Sequence, residues 1–309
     1  MSNHTDLVDT YLDYCSKQKR LDSKTIRAYR TDLEQLKTVI ELSDPDAIST
    51  EELESYIQTL HTKYKPRTAK RKIASSKAFF SFLEHKNMIS QNPCHRLDSR
   101  FREPAVLPRT IPLHTLEQLL SAIYWEITHA KTSYRRRNAL RDAAICELLF
   151  ATGVRISELC SLSACDIDFK DNVILIFGKG AKERRIHIGN KQVTDILQKY
   201  KESYSEQISQ CGKFFANQHG RPFSDQSVRR MLNRYVKLSD ITQHITPHMF
   251  RHTFATSLLD TDVDIRYIQE ILGHSSIHTT EIYTHVSMAK QKDILGTKNP
   301  RSQLAITME

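Results

Sequence analysis

Four residues late in the sequence carry side chains suited to one kind of chemistry. They are His248 and Arg251 in His248-Met249-Phe250-Arg251-His252, His274 in Leu272-Gly273-His274, and Tyr283 in Thr279-Thr280-Glu281-Ile282-Tyr283-Thr284-His285. The chemistry is attack of a phenolic oxygen on a phosphodiester. A phenol titrates near pH 10, so only about one tyrosine in a thousand is ionised at neutral pH. A tyrosine nucleophile therefore needs a proton acceptor and a strongly electropositive phosphate pocket. His248 supplies the acceptor. Arg251 follows by three residues, which puts both on one face of a helix beginning after Pro247. Its guanidinium grips two phosphate oxygens and stays charged at any relevant pH.

One arginine leaves much of the charge on a pentacoordinate phosphorus uncompensated. Arg155, in Thr152-Gly153-Val154-Arg155-Ile156-Ser157-Glu158-Leu159, is the second. Gly153 is expected to end one helix and Arg155 to start the next, with Glu158 three residues on as the carboxylate that holds the guanidinium. His274, after Gly273 at an expected helix end, donates a further hydrogen bond to the phosphate. Lys179, between Gly178 and Gly180, is placed to protonate the departing oxygen. No metal is called for. His244, His248 and His252 recur every four residues, as a metal-binding face would, but no acid or cysteine joins them.

These residues need elements to hold them. Leu7, Tyr11, Leu12 and Cys15 recur at helical spacing, as do Ile26, Tyr29, Leu33, Leu36 and Ile40. Ser49 and Glu52 form a capping box ahead of Leu53, Ile57 and Leu60. A fourth helix is expected from Pro66 to His85, burying Ile73, Phe80 and Leu83. Pro93, Pro104, Pro108 and Pro112 then mark an extended connector. The expected division is a helical domain over 1–92, a linker over 93–112, a second domain over 113–295 and a tail over 296–309. Beyond the linker, Leu113–Ala130 and Arg141–Thr152 read as helices, with Lys131–Arg137 as an exposed basic loop. Val173–Phe177 and Arg184–Ile188 flank Gly178-Lys179-Gly180 as a hairpin, and the pattern is helical again from Lys191. The fold class is mainly α with a small β-sheet.

Only eight glycines occur in 309 residues, which disfavours a glycine-punctuated all-β architecture. No apolar run reaches the roughly 18 residues of a membrane span, and the first residues lack the apolar core of a signal peptide. A soluble, cytoplasmic protein with no membrane contact is the expectation. The six cysteines form no C-x-x-C pair and read as free thiols. The formal net charge is +9, and a mild excess of this kind says less than its distribution.

The ordered set T-G-x-R-x-S-E-L, G-K-G, H-x-x-R-H-T-F-A-T, L-G-H and T-T-x-I-Y-T-H resembles the tyrosine recombinases of the phage integrase family, closest to the Xer-type site-specific recombinases. The resemblance spans nearly all of residues 1–290. It implies a four-helix SAM-like core-binding domain and a tyrosine-recombinase catalytic domain closing on duplex DNA as a C-shaped clamp. It makes Tyr283 the nucleophile, Arg155 and Arg251 the phosphate clamps, His248 the acid/base residue, Lys179 the general acid and His274 a phosphate ligand. It also implies a 3′-phosphotyrosyl intermediate and strand exchange through a Holliday junction, with neither ATP nor another cofactor. The implied partners are double-stranded DNA carrying a specific recombination site, a homotetramer on two sites or a heterotetramer with a second recombinase, and a DNA translocase as activator.

On that footing the run Lys63, Lys65, Arg67, Lys70, Arg71, Lys72 and Lys77, which contains no acid, reads as a DNA-backbone contact. Lys182, Arg184, Arg185, Arg229 and Arg230 are weaker candidates of the same kind. Three rivals stay open: a DNA-binding accessory protein with the same fold, a type IB-like topoisomerase, and a metal-dependent nuclease.

Overall fold

A computed structural model describes residues 6–97, 108–178 and 183–273. The chain divides into two compact units, Met1–Ala105 and Val106–Glu309.

The helices of the first unit begin where side chains can satisfy the otherwise unpaired N–H groups of a first turn. Asp6 accepts from Val8 N ahead of α1 (Leu7–Lys17), and Asp22 accepts from Lys24 N and Thr25 N ahead of α2 (Ser23–Lys37). The Ser49–Glu52 capping box opens α3 (Thr50–Lys63), and Pro66 takes the first position of α4 (Pro66–His85). Leu33, Leu36, Leu53, Phe79, Phe80 and Leu83 are fully buried between these helices. Each contributes roughly 2 kcal/mol by leaving water. Tyr11 packs edge-on against Phe79, with centroids 5.6 Å apart.

One polar cluster crosses this core. Asp32 on α2 is completely buried, accepting from Lys72 Nζ at 3.0 Å and Ser75 Oγ at 2.8 Å and pairing with Arg71. Lys72 also donates to Gln35. A carboxylate and an ammonium survive burial here because each has several partners. Lys72, expected with its basic neighbours to contact the DNA backbone, is an internal residue.

The second unit is built around α6 (Ser133–Thr152). Its buried positions run continuously from Arg141 to Cys146 and recur through Thr152, as in a helix covered on most sides. Its neighbours are α5 (Leu113–His129), α8 (Lys191–Ser203) and α11 (Pro247–Asp260). The exposed loop expected over Lys131–Arg137 is a correction. Thr132 accepts from Arg135 N and starts α6 there, so the basic residues form its first turns. Arg137 turns inward, donating to Ser203 O and Gln207 Oε1 and lying over the Tyr204 ring.

A short helix, α7 (Ile156–Ser161), leads to a three-stranded antiparallel sheet in the order β1 (Ile167–Asp168), β2 (Val173–Phe177), β3 (Glu183–His187). Asp168 accepts from Lys170 N and Asp171 N and forms the tight turn into β2. Ile174 pairs with Ile186, and Ile176 with Arg184. Helices α9 (Ser205–Cys211), α10 (Asp225–Leu238) and α12 (Ile265–Leu272) complete the described part. The connector expected over 93–112 is anchored at both ends: Cys94 and Leu97 belong to the first core and Ile111 to the second. No helix among the described residues is long and apolar enough to cross a membrane. The cysteines are free; Cys15, Cys94 and Cys146 are buried and Cys165 is exposed.

Candidate functional site

Helix α6 ends on Gly153, whose φ of 60° lies in the left-handed region. A Cβ there would lie 2.5 Å from Phe254 Cδ1 and 2.9 Å from Leu272 Cδ2. Only glycine meets both demands. The turn delivers Arg155 as the residue that caps α7, and Glu158 folds back on it. Glu158 Oε2 accepts the Arg155 backbone N–H at 2.8 Å, and Oε1 accepts the Arg155 guanidinium at 2.8 Å.

Arg251 reaches the same place from α11. It is 4% exposed and donates to Gly153 O and Leu272 O, both at 2.7 Å. Arg184 arrives from β3, forking onto Glu158 at 2.8 and 3.0 Å and donating from Nε to Ile271 O at 2.9 Å. Arg155 makes a longer bond, 3.4 Å, to Gly273 O. Three guanidiniums thus meet three successive carbonyls, Ile271, Leu272 and Gly273, at the C-terminal end of α12. Those carbonyls have no further helical turn to bond, and their partial negative charge suits cations.

The electrostatics follow from this crowding. Burial raises the Glu158 carboxyl, but the Arg184 and Arg155 hydrogen bonds outweigh burial and hold it below the ordinary carboxylate range. Burial, with His248 and Arg251 nearby, lowers the His252 imidazole to about 4. His248, one turn before His252, is exposed at the start of α11. Arg155 retains partial exposure, 35% of its side chain. The arrangement is a strongly electropositive cluster of three guanidiniums around one carboxylate, suited to a phosphate dianion or a phosphodiester.

The structure therefore brings together Arg155, Glu158 and Arg251, as expected, and adds Arg184. That side chain, expected to face DNA, points inward with all three nitrogens bonded internally. The signal that places it there, Glu158 on another element, is invisible in the β3 sequence alone. Lys179 and Lys182 in the hairpin, His274 and Tyr283 lie outside the described residues. On α4, Lys65, Arg67, Lys70 and Arg71 are exposed, while Lys77 is half-buried and bonds Leu97 O at 3.5 Å. Among the described residues no group of three or more His, Cys, Asp or Glu side chains is placed to hold a metal ion.

Residues 117–290 match the phage integrase family, and residues 8–87 match its N-terminal SAM-like domain. The chain belongs to the phage integrase family. A tyrosine recombinase of Agathobacter rectalis is 59% identical over 97% of this chain and 98% of its own length. Tyrosine recombinase XerD of Listeria innocua is 34% identical over 96% and 99%. The fold is shared with the XerH site-specific recombinase bound to a palindromic difH substrate in a post-cleavage complex. That similarity has a TM-score of 0.74 at 20% identity and covers 94% of this chain and 84% of XerH. As a family member of Xer type, the chain is a tyrosine-type site-specific recombinase, and its mainly helical architecture with one small sheet is that of an integrase.

Proposed function

We propose that the chain cleaves and rejoins double-stranded DNA at a specific site, with Tyr283 as the nucleophile. Arg155 and Arg251 clamp the scissile phosphate, His248 takes and returns the tyrosine proton, His274 adds a phosphate hydrogen bond, and Lys179 protonates the departing 5′-oxygen. The phosphodiester energy is kept in a 3′-phosphotyrosyl bond, so religation needs neither ATP nor metal. A second strand's 5′-hydroxyl then attacks that bond, and exchange proceeds through a Holliday junction. The convergence of Arg155 and Arg251 on one recess carries this reading: two fixed guanidiniums supply the charge that a phosphorane develops.

Residues 1–92 serve as the core-binding domain, with the exposed basic face of α4 set against the DNA backbone, and 113–295 serve as the catalytic domain. Four protomers act on two sites, either as a homotetramer or with a second recombinase, and a DNA translocase is the class of activator that fits an Xer-type enzyme.

The test uses plasmids carrying two copies of the DNA sequence recovered from protein-bound ends. Excision or inversion between the copies, persisting in EDTA, is the expected result. Supercoil relaxation without any exchange between sites would point instead to a topoisomerase, and loss of cleavage in EDTA would point to a metal-dependent nuclease.

A further inference from the structure

We propose that Arg184 is a positioning residue: it takes up the charge of Glu158 so that the Arg155 guanidinium keeps its own for phosphate. The role rests on the phosphate-clamp reading of Arg155.

Glu158 is 6% exposed and accepts four hydrogen bonds, two from Arg155 and two from Arg184. The two arginines are not equivalent. Arg155 opens toward solvent, whereas Arg184 is 12% exposed and spends its remaining nitrogen on Ile271 O. Each of its three nitrogens is already held by an internal acceptor, so three of its five N–H groups are spent within the fold. What it contributes is charge. Arg155, Arg184 and Arg251 against one carboxylate leave two net positive charges in the cluster; without Arg184 one would remain, and Arg155 would form a neutral pair with Glu158. At the separations of a partly desolvated site, one unit of charge is a large effect.

The site is built for this approach. Gly273 adopts φ 65°, and a Cβ there would lie 2.9 Å from Arg184 Nη1, so glycine at the end of α12 leaves the room that Arg184 occupies. Strand β3 holds the arginine in register opposite Ile176 on β2.

The test is the single-turnover rate of covalent adduct formation by the full-length chain at saturating DNA. The probe is a nicked duplex carrying the sequence recovered from wild-type adducts, and thermal melts accompany each variant. Arg184→Gln is expected to slow the step roughly 10- to 100-fold, while Arg184→Lys, which keeps the charge and loses the fork, stays within about fivefold of wild type. The double variant Glu158→Gln/Arg184→Gln, which removes both charges, is expected to react faster than Arg184→Gln alone. A purely structural arginine predicts the reverse, with Lys as slow as Gln and the double variant slowest, and that pattern would overturn the role. Should Arg184→Gln not fold, the double variant decides: a rate within about tenfold of wild type supports the role, and a slower one overturns it. A wild-type chain that forms no adduct overturns the recombinase reading itself, and this role with it.

Discussion

Glu158 holds Arg155 at both ends of the residue, accepting its backbone N–H at one carboxylate oxygen and its guanidinium at the other, each at 2.8 Å. The carboxylate thereby fixes where α7 begins and where the guanidinium points. Glu158→Ala removes both ties and leaves Arg184 buried without its carboxylate. Removing one partner of a buried ion pair costs about 3 kcal/mol or more. A fall of that size in urea-unfolding stability is expected, together with a loss of adduct formation that exceeds any loss of DNA affinity.

Gly153 is at once the helix stop, the point of closest approach to Phe254 and Leu272, and the acceptor for Arg251. Gly153→Ala meets a positive φ and a crowded Cβ together. The expected cost is about 2–3 kcal/mol, measured by denaturant midpoint. Because a strained turn displaces the residue-153 carbonyl to which Arg251 donates, cleavage is expected to fall even at temperatures where the variant stays folded.

His252 gives the fold a pH dependence of known sign. Its imidazole titrates at about 4 when folded against 6.5 ordinarily, because burial and the neighbouring His248 and Arg251 disfavour its charge. Between those values the unfolded chain binds a proton that the folded chain refuses. Stability is therefore undiminished above pH 6.5 and declines as pH falls toward 4. Allowing for its partial exposure, the amplitude is about 1–2 kcal/mol. His252→Gln is expected to show a shallower decline over that window in pH-resolved urea titrations, whatever its stability at pH 8.

The basic face of α4 is expected to set affinity and not chemistry. Lys65→Ala, Arg67→Ala and Lys70→Ala each remove one exposed cation. Each is expected to flatten the dependence of log K on log salt by about 0.9 if its side chain touches a phosphate. Fluorescence anisotropy across a salt series reads this directly, and the single-turnover rate at saturating DNA is expected to stay unchanged.

Local rules made much of this architecture legible in the sequence. Pro66 and His85 bound α4 as read, the Ser49–Glu52 box opens α3, and Gly153 and Gly273 end their helices because each can take a positive φ. What escaped was decided by contacts between distant segments. Lys72 looks like one more cation in a DNA-contacting run until Asp32 from another helix faces it. Arg184 looks like a strand residue facing DNA until Glu158 and the end of α12 surround it. The first turns of α6 look like a loop because Lys131–Arg137 is strongly basic without apolar periodicity, and the Thr132 cap is the local mark of the helix start. Strand β1 is two residues long, too short for any alternation to show.

The central claim is that Tyr283 becomes esterified to DNA. The direct measurement is peptide mass spectrometry of the protein after trapping on a nicked duplex and digestion with nuclease and protease. The expected result is a nucleotide-bearing peptide modified at Tyr283, absent from Tyr283→Phe and still formed in EDTA. A nucleotide on any other residue, or an adduct that survives the Tyr283→Phe change, would contradict it.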